Sequence, residues 1–224
     1  QDVNELPYPG LELTAKNQVA VTDADGRAAF PASVESVSLG GTTITFSVPR
    51  APALITGGVV NAASFRPGLV AGGIATAFGT GLRNARVTVG GTVARVFFST
   101  DNQINFAVPG GLPLGPTDVS ARNTSGIVTI SATVLAAQPG IFFDAASGKA
   151  AAIPRGETIY EVYGTGFGTA PLTARSGTRP VEVLFSGAAP GFIGLQQINL
   201  RGLSPGDPLV VSTGGVESNS VALP

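Results

Sequence analysis

The sequence predicts an all-β chain folded into β-sandwiches, and three observations predict it. Helical periodicity is nearly absent: no window carries apolar residues at i, i+3, i+4 and i+7 between caps. Short runs rich in β-branched and aromatic residues follow one another, among them QVAVT, TTITFSV, ARVTVGG, VARVFFS, QINFAV, GIVTISATV, TIYEVYG, VEVLFSG, QINLRG and PLVVSTGG. Turn-forming pairs punctuate these runs. Many short strands with such punctuation fit sandwiches better than a parallel sheet wrapped in helices.

Each element has its own justification. Asp25-Gly26, between QVAV and RAAF, reads as a hairpin tip. Gly40-Gly41, Gly90-Gly91 and Gly214-Gly215 each separate strand-like runs. In GIVTISATV, Thr129, Ser131 and Thr133 fall on one face and Val128, Ile130 and Val134 on the other, the period of a half-buried strand.

Composition bounds the chemistry. Of 224 residues, 31 are Gly and 17 Pro without a collagen period, so tight turns are expected throughout. Only 12% of residues are charged and the net charge is −1, which leaves no basic footprint for nucleic acid. The mean hydropathy of +0.32 suggests a surface partly covered by other copies of the chain. The longest uncharged stretch, NTSGIVTISATVLAAQPGIFF, is too polar for a bilayer span. The first residue is Gln rather than Met, which leads us to expect an exported protein whose signal peptide has been cleaved.

The inventory also argues against catalysis. With no His and no Cys there is no triad, thiol nucleophile or imidazole base, and the usual zinc ligands are missing. No enzyme activity and no cofactor or metal are expected. Glu157, Glu161 and Glu182 could serve as an acid–base pair, but Glu157 and Glu161 lie four apart in a strand-like run and read as charges on one solvated face. Asp23-Ala24-Asp25-Gly26 resembles the start of a calcium loop, yet Val34 stands where that loop needs its bidentate Glu; a turn is the simpler reading. Asn123 heads the N-x-Ser/Thr sequon Asn123-Thr124-Ser125 and is a candidate glycosylation site. Tyr8, Phe65, Phe142, Phe143 and Phe192 could line a sugar platform, but core packing is the expectation for so few aromatics.

The chain repeats itself. VAGGIATAFGTGL (70–82) lies over RGETIYEVYGTGF (155–167), and NQINFAVP (102–109) over QQINLRGL (196–203). The second copy is longer between these landmarks, and TAPLTARSGTRP (169–180) is read as an enlarged loop. The glycines of VYGTGFG (162–168) suggest a phosphate cradle, but no helix signal follows and no Walker Lys-Ser/Thr is present; a turn requiring φ > 0 is the expectation.

A strand ending in FGTGL, then VTVGG, an apolar strand, QINFAVP, a Gly-Pro turn and a last strand resembles the TIG/IPT group of immunoglobulin-like domains. More narrowly, GVVNAASFRPG, AFGTGL, QINFAVP, PGIF, YGTGFG, APGFIGLQQINL and GGVESNSV in this order resemble the Solibacter-type C-terminal region of secreted bacterial proteins, over about 55–224. The resemblance implies tandem immunoglobulin-like β-sandwiches in an exported protein and carries no catalytic residues. Residues 19–48 resemble the last strands of a bacterial immunoglobulin-like repeat of adhesin stalks, so the amino-terminal unit is expected to be short of strands. The expected division is 1–53, an extension and partial immunoglobulin-like unit; 54–146, a first TIG-like domain; and 147–224, a second.

Two functions follow as expectations. The first is an extracellular structural protein: a subunit of a surface filament or pilus-like homopolymer, joined head to tail by strand exchange. Leu11, Leu13, Ala15, Val19 and Val21 are the candidate strand-exchange residues. The alternative is a cell-surface adhesin or carbohydrate-binding stalk module of a secreted protein, with surface polysaccharide as partner and Arg175 and Arg179 in the 169–180 segment as the first residues to test. The chain could also be the C-terminal piece of a larger secreted protein.

Overall fold

The structure is a computed structural model and describes residues 10–15, 18–30, 36–39, 42–45 and 50–224. It divides into two units, Gln1–Pro49 and Arg50–Pro224. No helix occurs among the described residues, so none is long and apolar enough to cross a membrane. The all-β class read from the sequence is the class observed.

The first unit is an antiparallel sheet of β1 (Glu12–Ala15), β2 (Gln18–Val21), β3 (Ser36–Leu39) and β4 (Thr42–Thr45) in the order β2-β1-β3-β4. Its core among the described residues is small: Ala15 and Val37, with Leu13 and Phe30 against them. Asp25-Gly26 does form a turn, but not the tip of a hairpin, because residues 27–30 are not a strand and β2 pairs with β1 instead. Asp23 organises the turn. Its Oδ1 accepts the N–H groups of Asp25 and Arg27, each at 2.9 Å, so its carboxylate is engaged in the loop's own backbone. Gly40, Gly41 and Val34 lie outside the described residues, as does Tyr8.

The second unit holds two sandwiches. In the first, β5 (Ala53–Asn61), β6 (Ile74–Thr80), β9 (Arg95–Ser99) and β10 (Gln103–Ala107) form one sheet, ordered β5-β6-β10-β9. The facing sheet contains β7 (Arg86–Val89), β8 (Thr92–Val93), β11 (Gly115–Asn123) and β12 (Gly126–Val134), ordered β12-β11-β7-β8. Alternate residues of both layers meet in a core of Phe106, Ile104, Leu82, Val87, Val89 and Val119. Gly90-Gly91 is the two-residue loop that Val89 and Thr92 close, with both glycines in the left-handed region, as a type I′ hairpin requires.

The second sandwich contains β13 (Gly140–Ile141), β14 (Ala152–Pro154), β15 (Ile159–Thr165), β16 (Leu172–Ser176), β17 (Arg179–Ala188), β18 (Gln196–Arg201), β19 (Pro208–Thr213), β20 (Val216–Glu217) and β21 (Val221–Ala222). The strands run β13-β15-β18-β17-β16-β19-β20, with β14 on β15 and β21 on β19. The long β17 belongs to both layers: Arg179, Pro180 and Val181 pair with β16, and residues from Glu182 onward pair with β18. In the first sandwich β8 and β9 divide the same task on either side of the buried Ala94. Ile141 and Ala150 belong to the second core. Within PGIF, Gly140 and Ile141 pair with Thr165 and Gly164 as a short edge strand.

The enlarged loop expected at 169–180 is not a loop. It is the β16–β17 hairpin, turning at Gly177 and Thr178, and it corresponds to β7–β8 of the first sandwich. The extra length of the second copy lies at 189–195, between β17 and β18. Pro171 and Pro180 give 169–180 the composition of a loop, whereas Pro180 sits inside a strand that also changes layer.

Candidate functional site

The GTG glycines do not cradle an anion. They receive the chain entering each sandwich. A Cβ at Gly164, Gly166 or Gly168 would collide with the carbonyl oxygens of Gly140, Gln138 and Ala136 respectively, so the segment joining the sandwiches lies directly on these glycines. In the first sandwich, a Cβ at Gly79 would meet the carbonyl of Ala53, and one at Gly81 would come within 2.7 Å of the carbonyl of Ala51. Close backbone packing is why the motif recurs.

The second repeated motif builds a surface. On the outer face of the β5-β6-β10-β9 sheet, Gln103 stands opposite Phe78 and Asn105 opposite Thr76, while Ile104 and Phe106 point into the core. In the second sandwich Gln197 stands opposite Tyr163 and Asn199 opposite Glu161, with Ile198 and Leu200 in the core. On its other side Asn105 faces Phe98, and Asn199 faces Phe185. Both ladders then shift register, at Phe97 in one and at Leu184 in the other. RVFFS and EVLFS thus carry the same β-bulge, which gives two adjacent apolar side chains to solvent. Phe98 is 52% exposed and Phe185 45%. Isolated exposed apolar groups are ordinary, but the same pair at the same register in two sandwiches is not.

The polar groups beside these aromatics are pre-oriented. Gln103 Nε2 and Thr76 Oγ1 both donate to Asn105 Oδ1 at 2.9 Å, and Gln197 Nε2 donates to Asn199 Oδ1 at the same distance. The Nδ2 of each Asn and the Oε1 of each Gln remain without a partner among the described residues. Each face therefore offers a donor and an acceptor beside an aromatic ring.

Phe65 extends the first of these faces. Its ring centroid lies 6.3 Å from that of Phe78, and its backbone sits at φ 56°, an outlier for a bulky residue. Asn61 imposes this shape: its Oδ1 accepts the N–H groups of Ala63 and Ser64, and its carbonyl accepts that of Phe65. The aromatics expected in the core are thus elsewhere. Phe65, Phe143 and Phe192 are exposed and Phe142 is half-buried.

The second face carries charge as well. Arg155 Nε donates to Glu161 Oε2 at 2.9 Å, and the Tyr163 hydroxyl donates to Glu161 Oε1. These hydrogen bonds, that from Arg155 first, hold the Glu161 carboxyl below the ordinary glutamate range, and the bond to Glu161 pushes the Tyr163 phenol up. Glu161 is buried rather than solvated, and Glu157 lies in the turn before β15 rather than on its face. Glu182 pairs with Arg201 at 3.3 Å. No cluster of metal-ligating side chains occurs among the described residues.

The other candidate residues belong to neither of these faces. Arg175 forms an ion pair with Glu217 at 2.9 Å, and Arg179 pairs with Asp207 at 3.2 Å and donates to the carbonyl of Gly202. Both brace strands and stand apart from the aromatic faces. Asn123 Nδ2, the nitrogen a glycan would occupy, donates to the carbonyls of Arg50 and Gly81. Leu13 and Ala15 lie in β1, which is paired on both sides within the chain; Leu11 precedes it and is tied to Thr22. Val19 and Val21 lie on β2, each 59% exposed.

No family model and no curated protein matches the chain. Among solved structures, it is similar to SGBP-B of the Bacteroides ovatus mixed-linkage glucan utilization locus in complex with a mixed-linkage heptasaccharide, at 11% identity and a TM-score of 0.37, over 91% of this chain and 47% of that one. It is also similar to SGBP-B from a complex xyloglucan utilization locus in Bacteroides uniformis, at 15% identity and a TM-score of 0.29, over 77% and 49%. A titin I-band fragment, I67–I69, matches at 10% identity and a TM-score of 0.29, over 96% and 87%. The chain spans about half the length of the two Bacteroides proteins.

Proposed function

We propose that this chain is a non-enzymatic, cell-surface or secreted module that binds polysaccharide across the outer faces of its two sandwiches. The observation that carries this reading is the repeated constellation itself: Phe78, Gln103, Asn105 and Phe98 on one face; Tyr163, Gln197, Asn199 and Phe185 on the other. A pyranose ring presents an apolar C–H face and a rim of hydroxyls. Exposed aromatic rings suit the first, and a free amide donor with a free carbonyl acceptor suits the second. Both constellations lie on the faces of sheets, which suit an extended polymer better than a small enclosed ligand.

Affinity gel electrophoresis against soluble polysaccharides, including mixed-linkage glucan and xyloglucan, tests the reading. Retardation by at least one polymer is expected, and Phe98→Ala with Phe185→Ala is expected to remove it while leaving the fold intact. An intact chain retarded by none of a broad panel would exclude the reading. Strand exchange through residues 11–21 has less support. β1 has no open edge to offer, so exchange would have to use β2, through Val19 and Val21.

A further inference from the structure

β12, at nine residues, is as long as any edge strand among the described residues, and most of its free side is unpaired. Its neighbour on one side is β11, paired along its whole length from Gly115↔Val134 to Asn123↔Gly126. On the other side hydrogen bonds occur only at one end, where the Thr133 carbonyl accepts the N–H of Leu69 and the Leu69 carbonyl accepts that of Leu135, and Ala51 and Pro52 lie beside Gly126 at the opposite end. Those bonds fix the parity of the strand. The backbone groups of Thr133 point away from β11, and so do those of Ser131, Thr129 and Ile127, because hydrogen-bonding direction alternates along a strand. These three residues have exposed side chains, and their backbone N–H and C=O groups have no partner among the described residues.

Natural edge strands are commonly blunted by charge, proline or a bulge. β12 has none of these: GIVTISATV contains no charged residue and no proline, and its pairing with β11 runs without a register shift. No charge occurs anywhere between Arg122 and Asp144.

We propose that this edge is a self-association surface, on which β12 of a second copy pairs antiparallel about a two-fold axis at Thr129. This register sets Thr129 opposite its own copy and Ile127 opposite Ser131 of the other, so the outward N–H and C=O groups of all three residues are bonded at once. It opposes no like charges. The row through Ile127 runs outward to Arg122 on one copy and to Asp118 on the other, because β11 sets Arg122 beside Ile127 and Asp118 beside Ser131. The two four-stranded sheets become one continuous eight-stranded sheet. The inference is independent of polysaccharide binding, which uses the other layer of the sandwich.

Sedimentation velocity of the intact chain, followed to about 100 μM, reads the outcome. The wild-type chain is expected to dimerise. Ser131→Pro blocks the edge without removing a bond to β11, since that N–H points outward, and Thr129→Lys sets two ammonium groups face to face at the axis. Each is expected to weaken dimerisation at least tenfold, with the melting temperature of the monomer little changed, while Thr129→Ser preserves it. Amide hydrogen exchange supplies a readout independent of variant folding: protection at Ile127, Thr129 and Ser131 should rise with wild-type concentration. A wild-type chain that stays monomeric, or a dimer that survives both blocking variants without concentration-dependent protection at these amides, would overturn the proposal.

Discussion

The backbone N–H of Ile74 donates to the hydroxyl of Thr165 at 2.8 Å, and that hydroxyl donates in turn to the carbonyl of Gly194, also at 2.8 Å. Ile74 belongs to the first sandwich, Thr165 and Gly194 to the second. Asn61 reinforces the joint, since its Nδ2 donates to the carbonyl of Gln138 at 2.7 Å. Thr165 is fully buried and Asn61 nearly so, so these bonds tie the two sandwiches without competition from water.

Thr165→Val keeps the side-chain shape but strands a donor and an acceptor. A loss of about 2 kcal/mol is expected, which for a unit of this size lowers the melting temperature by about 6 °C. Thr165→Ser should restore most of it. Calorimetric melting of the three proteins checks this, and a valine variant as stable as the wild type would mean that the hydroxyl contributes nothing to the joint.

The glycine motif gives a graded test. Gly164 does not have positive φ, yet a Cβ there meets the carbonyl of Gly140 and the ring of Phe167. Gly191 has φ +80° but open space around its Cβ. Gly191→Ala should therefore cost about 1 kcal/mol through backbone strain alone, and Gly164→Ala about 3 kcal/mol or more through overpacking. Urea unfolding midpoints rank the two. A phosphate-binding role would instead make Gly164→Ala mild in stability and visible only with nucleotide present.

Acid should loosen the second face in a defined direction. The folded carboxyl of Glu161 titrates below its ordinary value of 4.5, held down by Arg155 and then Tyr163. Its contribution is complete above that value and is lost as pH falls through the depressed folded one. Glu161→Gln should flatten this part of the acid-unfolding curve, in the range below pH 4.5. A variant whose stability falls as steeply as the wild type over that range would remove the carboxylate from the account.

Phe65 separates stability from binding. Its left-handed backbone costs about 1–2 kcal/mol, which Phe65→Gly relieves. The variant should unfold at the same or a higher urea concentration and yet be retarded less in polysaccharide gels. A lower midpoint with unchanged retardation would make Phe65 a packing residue.

Much of the fold was legible because its signals are local. The alternation in GIVTISATV, the Gly90-Gly91 and Gly214-Gly215 tips and the QIN repeat each fix a strand, a turn or a register over a few residues. What was not legible depends on partners far along the chain. The bulge at Phe97 and Leu184 is set by pairing with β10 and β18, so two adjacent apolar residues that look like core in the sequence face outward. The spacing between the repeated landmarks shows that the second copy is longer but not where, and 169–180 forms a hairpin whose Pro180 lies on a strand that changes layer. Arg175 and Arg179 looked free for a ligand because the sequence does not show that Glu217 and Asp207 lie beside them. The likeness of VARVFFS to VEVLFSG is the local signal in the sequence for the repeated aromatic face.

Isothermal titration of the intact chain with the polysaccharide that retards it most tests the central claim most directly. Two binding events per chain are expected, one for each sandwich, with Phe98→Ala removing one, Phe185→Ala removing the other and the double variant silent. Binding that survives the double variant undiminished, or heat of binding from no polysaccharide at all, would contradict it.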